Sequence, residues 1–258
     1  MVTPRKPVQF WRFGIDKWKA AKSEIIVETP VSLTVNGKVW LTFMCTPVHL
    51  EALAVGFLFN EGVIQSMDEV ATAKVCEHGD NIDVWLNHGI EQPKSWRRTS
   101  GCTGGMTAIE VDDSQSVCCE NGSTITPEQV SCLINSLCDA QELYRETGGV
   151  HTSALSNGEC ILVSTEDIGR HNTLDKIAGL CLINNIWPKQ RILLTTGRIS
   201  SEMLQKATRI GTFIVISLTS PSSLSIQMAE RWGVTLIGYA RRNHFNVYAH
   251  AERIISPE

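Results

Sequence analysis

Nine of the twelve side chains in residues 165–176, TEDIGRHNTLDK, can form hydrogen bonds or carry charge, and apolar stretches flank them. Residues 160–164, CILVS, predict a short buried strand, and apolar residues from Leu174 onward recur at helical spacing. The polar segment is therefore a predicted strand-to-helix turn, in which Asn172 caps the helix and Asp175 returns a bond to the cap. The remaining polar side chains predict either a ligand site or a structural ion-pair network: Glu166, Asp167, Arg170, His171 and Lys176.

Three further apolar strands are predicted, each followed by a polar turn: RILLTT before GRISSE, FIVISL before TSPSSL, and VTLIGYA before RRNH. In an open α/β sheet the crevice lies beyond the carboxyl ends of the strands, so these turns should converge on one cleft. Helix starts near Asn172, Ser200 and Ser220 would add unpaired N–H groups there, which predicts a phosphate or pyrophosphate ligand. Alternatively, the serines are only caps and the arginines lie in solvent. The cations predicted for the cleft are Arg170, Lys176, Arg198, Arg241 and Arg242.

Composition restricts the class of protein. The 258 residues are 43% hydrophobic and 19% charged, which is typical of one large or two modest globular domains. A net charge of −4 argues against a general nucleic-acid binder. No apolar stretch has membrane-spanning length, and the first residues, MVTPRKPVQFWRF, lack the apolar core of a secretory signal. Nine cysteines without a disulfide-scaffold spacing favour a reducing compartment, so we expect a cytoplasmic protein.

The first half of the chain predicts a small α+β layer. Hydrophobicity alternates around Asn36-Gly37, which indicates a β-hairpin. Residues 46–62 predict a helix with Thr46 as a possible cap, and a second helix is predicted from residue 127 to about residue 146. The helix is followed by Gly148-Gly149, so we place the domain boundary near its end. The predicted domains are residues 1–140 and 141–258.

Two further candidate residues lie in polar segments. The segment RRTSGCTGG, residues 97–105, has no apolar period and three glycines, so it predicts a mobile loop. Its thiol, Cys102, closely follows two arginines that favour the thiolate, although it could also be an incidental loop residue. No two cysteines have CxxC spacing, and zinc is therefore not predicted. His151, in GGVHTSAL, lies beside the predicted cleft and is either a ligand or a structural histidine.

Six ordered blocks of this sequence resemble the formate dehydrogenase accessory sulfurtransferases of the FdhD type. The blocks are GCTGG, GGVHTSA, EDIGRHNTLDK, TGRISSEM, TSPSSL and LIGYARRN, and they cover most of the chain. The resemblance implies an α/β fold, α+β overall, with a cytidine-deaminase-like α/β C-terminal domain and a smaller α+β N-terminal domain. These correspond to the two predicted domains, with Cys102 in the N-terminal one.

The resemblance also implies a function. Such proteins take sulfur from a cysteine desulfurase and deliver it to the molybdenum bis-guanine-dinucleotide cofactor before insertion into formate dehydrogenase. Cys102 would hold the sulfur as a persulfide, and a homodimer is implied. The cofactor-contacting segment falls on Tyr239, Ala240, Arg241, Arg242, Asn243 and His244. The convergent turns predict further cleft residues at His151, Asp167, Arg170, His171 and Arg198.

Two departures from known patterns bear on the mechanism. Many relatives have two loop cysteines at CxxC spacing, whereas Gly105 stands three residues after Cys102 here. A release step that needs a second loop thiol is therefore in doubt. HTSA also lacks the glutamate of the deaminase HxE motif, and no PCxxC follows it. Sulfur transfer is the leading hypothesis, and the alternatives are a non-catalytic cofactor carrier and a nucleotide deaminase or hydrolase.

Overall fold

The computed structural model describes residues 3–15, 17–92, 97–98, 106–107 and 123–255. Within this part of the chain, strands form a six-stranded sheet, a four-stranded sheet and two separate two-stranded pairs. Cys102 lies outside the described residues, so its predicted loop stays a prediction. The mixed arrangement of sheets and helices confirms the predicted α/β class, α+β overall.

A long two-stranded antiparallel ribbon, here called the arm, opens the chain. It consists of β1 (Arg5–Gly14) and β2 (Lys17–Ile26). The two strands pair along their whole length, from Arg5 opposite Ile26 to Gly14 opposite Lys17. This element was not predicted from the sequence.

The four-stranded sheet contains the predicted hairpin. Asn36 and Gly37 have φ of 47° and 75°, and both therefore adopt the left-handed conformation that a tight hairpin turn requires. The predicted helix start at Thr46 is wrong, since the helix begins at Leu50 and His49 is its N-cap. In chain order, the elements of this part are β3 (Thr29–Val35), β4 (Lys38–Cys45), α1 (Leu50–Asn60), β5 (Val70–Val75) and β6 (Asn81–Leu86). The four strands lie side by side in the spatial order β4-β3-β6-β5.

Two short strands and two helices connect the sheets. β7 (Arg97–Arg98) pairs with β8 (Met106–Thr107) in antiparallel fashion. The single helix predicted over residues 127–146 is instead two helices, α2 (Pro127–Asp139) and α3 (Glu142–Thr147). Thr126 caps α2 in a capping box that involves Gln129, which fixes where this helix begins.

The six-stranded sheet and its helices are formed by β9 (His151–Ser156), β10 (Ile161–Asp167), α4 (Arg170–Asn184), β11 (Ile192–Thr195), α5 (Ser201–Arg209), β12 (Ile214–Ser217), α6 (Ser223–Trp232), β13 (Thr235–Gly238) and β14 (Asn246–Ala249). The strands lie in the spatial order β10-β9-β11-β12-β13-β14. Because β10 and β11 both run antiparallel to β9, and because β11, β12 and β13 are mutually parallel, these four strands end at one edge. The predicted convergence of the four turns is confirmed.

Helices cover both faces of this large sheet. Leu193, Val215 and Leu236 pack against α4, α5 and α6, whereas their neighbours along the strands pack against α2 on the opposite face. This alternation follows from the period of two in a strand. Helix α2 therefore packs with the large sheet, although it precedes the predicted domain boundary. That boundary stays a prediction.

Helix α4 joins the two sheets, because one of its faces meets the large sheet and another meets α1. Twelve of its 15 residues are buried, and so are ten of the 11 residues of α1. The helices cross at Gly56 and Gly179, where each glycine lies against the backbone of the other helix. Apolar residues of β3, α1 and α4 consequently share one hydrophobic core.

Candidate functional site

The candidate site lies at the edge of the large sheet where β10, β11, β12 and β13 end. Strand β9 runs in the opposite direction and therefore begins at this edge. Its first residue, His151, lies opposite Asp167, the last residue of β10. The N–H of Thr196, which follows β11, donates to the carbonyl of Thr152 at 2.9 Å. The interposed β9 thus brings His151 to the turns that follow the parallel strands.

A large cavity of about 1010 Å³ opens at this edge. Five of the predicted site residues line it: His151, Arg241, Arg242, Asn243 and His244. Other residues of the lining were not predicted from the sequence, including Cys138, Gln141, Tyr144, Thr196 and Thr219. Cys138 is an exposed residue of α2. The position of α2 beside this edge is a tertiary feature that the helical period does not predict.

A smaller cavity of about 200 Å³ lies along the same edge. Arg170 and Arg198 line it together with Ser200 and Ser222. Ser200 is the predicted cap, and its Oγ accepts a hydrogen bond from the N–H of Met203 at 3.4 Å. The predicted start of the next helix at Ser220 is wrong, because Ser222 caps α6. The positive ends of α5 and α6 therefore meet at this cavity.

The two helix ends are held side by side by the backbone. Ile199 and Pro221 form a parallel bridge, and the N–H of Ile199 donates to the carbonyl of Ser220 at 3.2 Å. The N–H of Ser222 donates back to the carbonyl of Ile199 at 2.9 Å. Since Thr196 and Thr219 line the large cavity, the same two turns contribute to both cavities.

The charge of the two linings is strongly one-sided. Within the described part of the chain, four arginines and no carboxylate line the two cavities, although acidic residues outnumber basic ones in the whole sequence. The arginines are Arg170, Arg198, Arg241 and Arg242. Such a surface favours an anion, and helix N-termini favour one with several acceptor oxygens.

The turn after β13 presents the predicted segment 239–244. Tyr239 has a φ of 51°, an uncommon conformation for a residue other than glycine. Its N–H donates to the carbonyl of Thr219 at 3.0 Å, and the N–H of Ala240 donates to that of Ser217 at 3.0 Å. Nη1 of Arg241 binds the carbonyl of Leu218 at 2.7 Å. Tyr239 and Ala240 line neither cavity, but their backbone sets the position of the residues that do.

Asp167, predicted as a cleft residue, is fully buried and bonded on both carboxylate oxygens. Oδ2 accepts from Lys176 Nζ at 2.6 Å and from the N–H of Thr46 at 3.0 Å. Oδ1 accepts from the N–H of Gly169 at 2.7 Å and from Asn172 Nδ2 at 2.9 Å. Asp167 lines neither cavity. Of the two predicted alternatives, a ligand site or a structural ion-pair network, Asp167 and Lys176 form the ion-pair network.

The capping prediction for α4 is wrong, and the same network explains why. Gly169 is the N-cap, and α4 begins at Arg170. Instead of capping, Asn172 donates to the carbonyl of Met44 and to Asp167, while Asp175 binds Lys206. Both side chains are used in tertiary contacts that capping rules do not consider.

A second buried ion pair lies on the other side of α4. Lys206 Nζ is 2.7 Å from both oxygens of Asp175, and Asn60 Nδ2 donates to Oδ1 of Asp175 at 2.7 Å. Burial raises the pKa of Asp175, although Lys206 and Asn60 oppose that shift. Because Asn60 belongs to α1 and Lys206 to α5, this pair fixes both helices to α4.

Burial also acts on two predicted site histidines. Desolvation, with a smaller contribution from Arg170, lowers the pKa of His151. Desolvation lowers the pKa of His171 well below its usual value, and the charges of Lys206 and Arg170 lower it further. His151 faces the large cavity as a neutral imidazole, whereas His171 is 1% exposed and lines neither cavity.

We expect the free energy of unfolding to fall as the pH decreases from neutral to about 5. A histidine whose pKa is lowered in the folded state adds no pH dependence to the free energy of unfolding above its unfolded-state pKa, near 6.5. Below that pH the unfolded chain binds protons that folded His151 and His171 resist, and stability is lost. Urea unfolding of the wild type and of the His171→Gln variant across this pH range measures the effect. The variant should show a shallower pH dependence, whereas exposed His78→Gln should keep the wild-type slope; equal slopes in all three would contradict the prediction.

Fold and site together define a class: an α/β protein with two adjacent cavities, lined by four arginines in total, at the carboxyl edge of its sheet. The model of the FdhD/NarQ family matches residues 26–255. The chain therefore belongs to the FdhD/NarQ family, as its sequence blocks had indicated. Among the described residues, no helix is long and apolar enough to cross a membrane.

Similar proteins extend over nearly the whole chain. The "Sulfur carrier protein FdhD" of Bacillus subtilis (strain 168) is 36% identical over 249 residues, 95% of each chain. The protein of the same name from Staphylococcus aureus (strain MRSA252) is 35% identical over 240 residues, 91% of each chain. A crystal structure described as a formate dehydrogenase accessory protein from Desulfotalea psychrophila matches with a TM-score of 0.84 and 29% identity. This alignment covers 98% of the present chain and 100% of the other.

Proposed function

We propose that this protein carries sulfur as a persulfide on Cys102 and passes it to the molybdenum bis-guanine-dinucleotide cofactor that formate dehydrogenase receives. Family membership and the sulfur-carrier names of its relatives support the carrier role. A cysteine desulfurase is the proposed donor, and formate dehydrogenase is the proposed destination. The cofactor is cargo here rather than a resident group.

The observation that carries the cofactor proposal is the pair of adjacent cavities with four arginines and no carboxylate among their described residues. A guanine dinucleotide combines a polar base with a pyrophosphate. The small cavity, with Arg170, Arg198 and two helix N-termini, suits the pyrophosphate. The large cavity has room for a nucleoside, and it offers His151, Asn243 and Gln141 as neutral hydrogen-bonding groups.

The sulfur step is an exchange between thiolate and persulfide. The Cys102 thiolate attacks the outer sulfur of the donor's persulfide, and an S–S bond forms on Cys102. The S–S bond of the donor breaks, and the donor cysteine leaves as a thiolate, so no oxidant is consumed. Arginines near Cys102 in the sequence favour the attacking thiolate. Release as hydrosulfide requires a second thiolate that attacks the inner sulfur of the Cys102 persulfide and ends in a disulfide with Cys102. Because Gly105 occupies the CxxC position, a thiol from outside the loop must supply that thiolate.

We expect Arg198→Ala to weaken binding of GDP by about 10- to 100-fold, the effect of losing one hydrogen bond to a charged group. Affinity for guanosine, which has no phosphate, should stay unchanged. Isothermal titration with both ligands measures the difference. Lys38→Ala removes a charge of the same sign from an exposed position of the four-stranded sheet, and this variant should bind GDP as the wild type does. Equal GDP affinity of Arg198→Ala and wild type would remove the small cavity from the proposal.

We expect a sulfur adduct on Cys102 after incubation with a cysteine desulfurase and cysteine. Peptide mass spectrometry of wild type, Cys102→Ala and Cys160→Ala measures it, since Cys160 is an exposed thiol elsewhere on the chain. Cys102→Ala should lose the adduct and fail to support formate dehydrogenase activity in cells, whereas Cys160→Ala should retain both. If Cys102→Ala still supports that activity, the protein is a non-catalytic cofactor carrier.

A further inference from the structure

Gln141 is a nearly buried side chain in the wall of the large cavity. It is 8% exposed and is the N-cap residue of α3. Its Nε2 donates to Oγ1 of Thr152 at 3.3 Å, whereas its Oε1 has no partner among the described residues. Oε1 is not one of the buried atoms that lack both a partner and access to solvent. Because Gln141 lines the large cavity, this acceptor is open to a ligand there.

A chain of hydrogen bonds fixes which end of this amide faces Thr152. Glu166 accepts from the N–H of Leu143 at 2.7 Å and from the N–H of Tyr144 at 3.0 Å. It also accepts from Oγ1 of Thr152 at 3.3 Å. A threonine hydroxyl has one proton, and Thr152 donates it to Glu166, so its oxygen can only accept from Gln141. Nε2 is therefore the end that faces Thr152, and Oε1 is the end left for the cavity.

An aromatic ring lies close to that acceptor in sequence and in the same wall. Tyr144 follows Gln141 by three residues, the spacing of neighbours on one helix face, and both residues line the large cavity. Tyr144 is 45% exposed. An exposed aromatic ring offers a stacking surface that every base can use. The ring therefore supplies affinity without choosing a base, whereas the fixed acceptor can make the choice.

We propose that Gln141 selects the base of the cargo by accepting a hydrogen bond from its Watson–Crick edge, while Tyr144 stacks on the base. Guanine presents two donors at that edge, N1–H and the 2-amino group, whereas adenine presents the acceptor N1 beside its amino group. Oε1 of Gln141 is matched to guanine and would face the lone pair of N1 in adenine. This inference rests on the proposed function, because it names the residue that distinguishes the base within the large cavity.

Burial of the hydrogen-bond chain prevents the amide from adapting to either base. Thr152 is fully buried, and Glu166 is 7% exposed. Rotating the amide to offer Nε2 to adenine would place Oε1 of Gln141 against Oγ1 of Thr152. Either these two oxygens would face each other without a proton, or Glu166 would lose a bond, and both results leave a buried polar atom unsatisfied. Thr152 and Glu166 are therefore positioning residues that act through Gln141.

Isothermal titration of the full chain with GDP, IDP and ADP tests the proposal, because these ligands share their phosphates and differ at the base edge. The wild type should bind GDP about 10-fold more tightly than ADP, with IDP, which lacks the 2-amino group, in between. Gln141→Leu should lose this preference. Thr152→Val should lose most of it, because the amide can then rotate, although Thr152 does not line the cavity. The matched control Gln227→Leu, at an exposed position of α6, should keep the preference.

Affinity for pyrophosphate, which has no base, should be equal in all four proteins and shows that the variants keep a folded site. Equal binding of GDP and ADP by the wild type, or an unchanged preference in Gln141→Leu, would overturn the inference and leave the proposed function standing. A wild-type preference in Thr152→Val would overturn the fixed orientation of the amide. A wild type that binds pyrophosphate but gains no affinity from any base would remove the nucleoside from the large cavity, and this inference with it.

Discussion

Lys176→Met is expected to lower the free energy of unfolding by about 3–5 kcal/mol, the cost of removing one partner of a buried ion pair. Lys176 and Asp167 are both fully buried, and Lys176 Nζ also donates to the carbonyl of Thr46 at 3.0 Å. Methionine fills a similar volume but leaves the Asp167 carboxylate without its counterion. Urea unfolding at neutral pH measures the loss.

A substitution at an exposed lysine separates the loss of the buried pair from the removal of one lysine charge. Lys74→Met, on an exposed position of β5, should change stability by less than about 0.5 kcal/mol. A loss below 1 kcal/mol for Lys176→Met would contradict a role for this pair in stability.

Gly179→Ala is expected to lower stability by roughly 3 kcal/mol, at the upper end of typical overpacking effects. A Cβ at this position would lie 1.9 Å from the carbonyl oxygen of Ala52. No side chain can move to make room, so α1 and α4 must separate along their shared core. The strain outweighs the gain of about 1 kcal/mol in helix propensity.

Thermal and urea unfolding of the purified variant measure this effect. Gly89→Ala is the matched control, because a Cβ there meets nothing within 4 Å. It should unfold as the wild type does. Gly56→Ala should resemble Gly179→Ala, since its Cβ would lie 1.7 Å from the carbonyl oxygen of Asp175. Wild-type stability of both helix variants would show that the crossing tolerates a wider separation.

Local patterns were sufficient for several elements. The alternation around Asn36-Gly37 predicted the hairpin, and the apolar runs predicted the strands that end at the site. Ser200 was correctly predicted as a cap because its side chain bonds within its own first turn. Predictions failed where a side chain has a distant partner. Thr46 and Asn172 are good capping residues by type, but the Thr46 hydroxyl accepts from the N–H of Ile168 and the Asn172 amide donates to Asp167.

The sequence by itself determined the class of fold, the family and the polar turns that carry the arginines, because period, turn chemistry and motif spacing are local properties. Only the tertiary structure decided which of these residues share a cavity. Strand β9 lies between β10 and β11 and brings His151 to the site, and α2 contributes Cys138. Asp167, from the same polar run as Arg170, became a fully bonded structural carboxylate instead. These outcomes depend on strand order and helix packing, which join residues far apart in sequence.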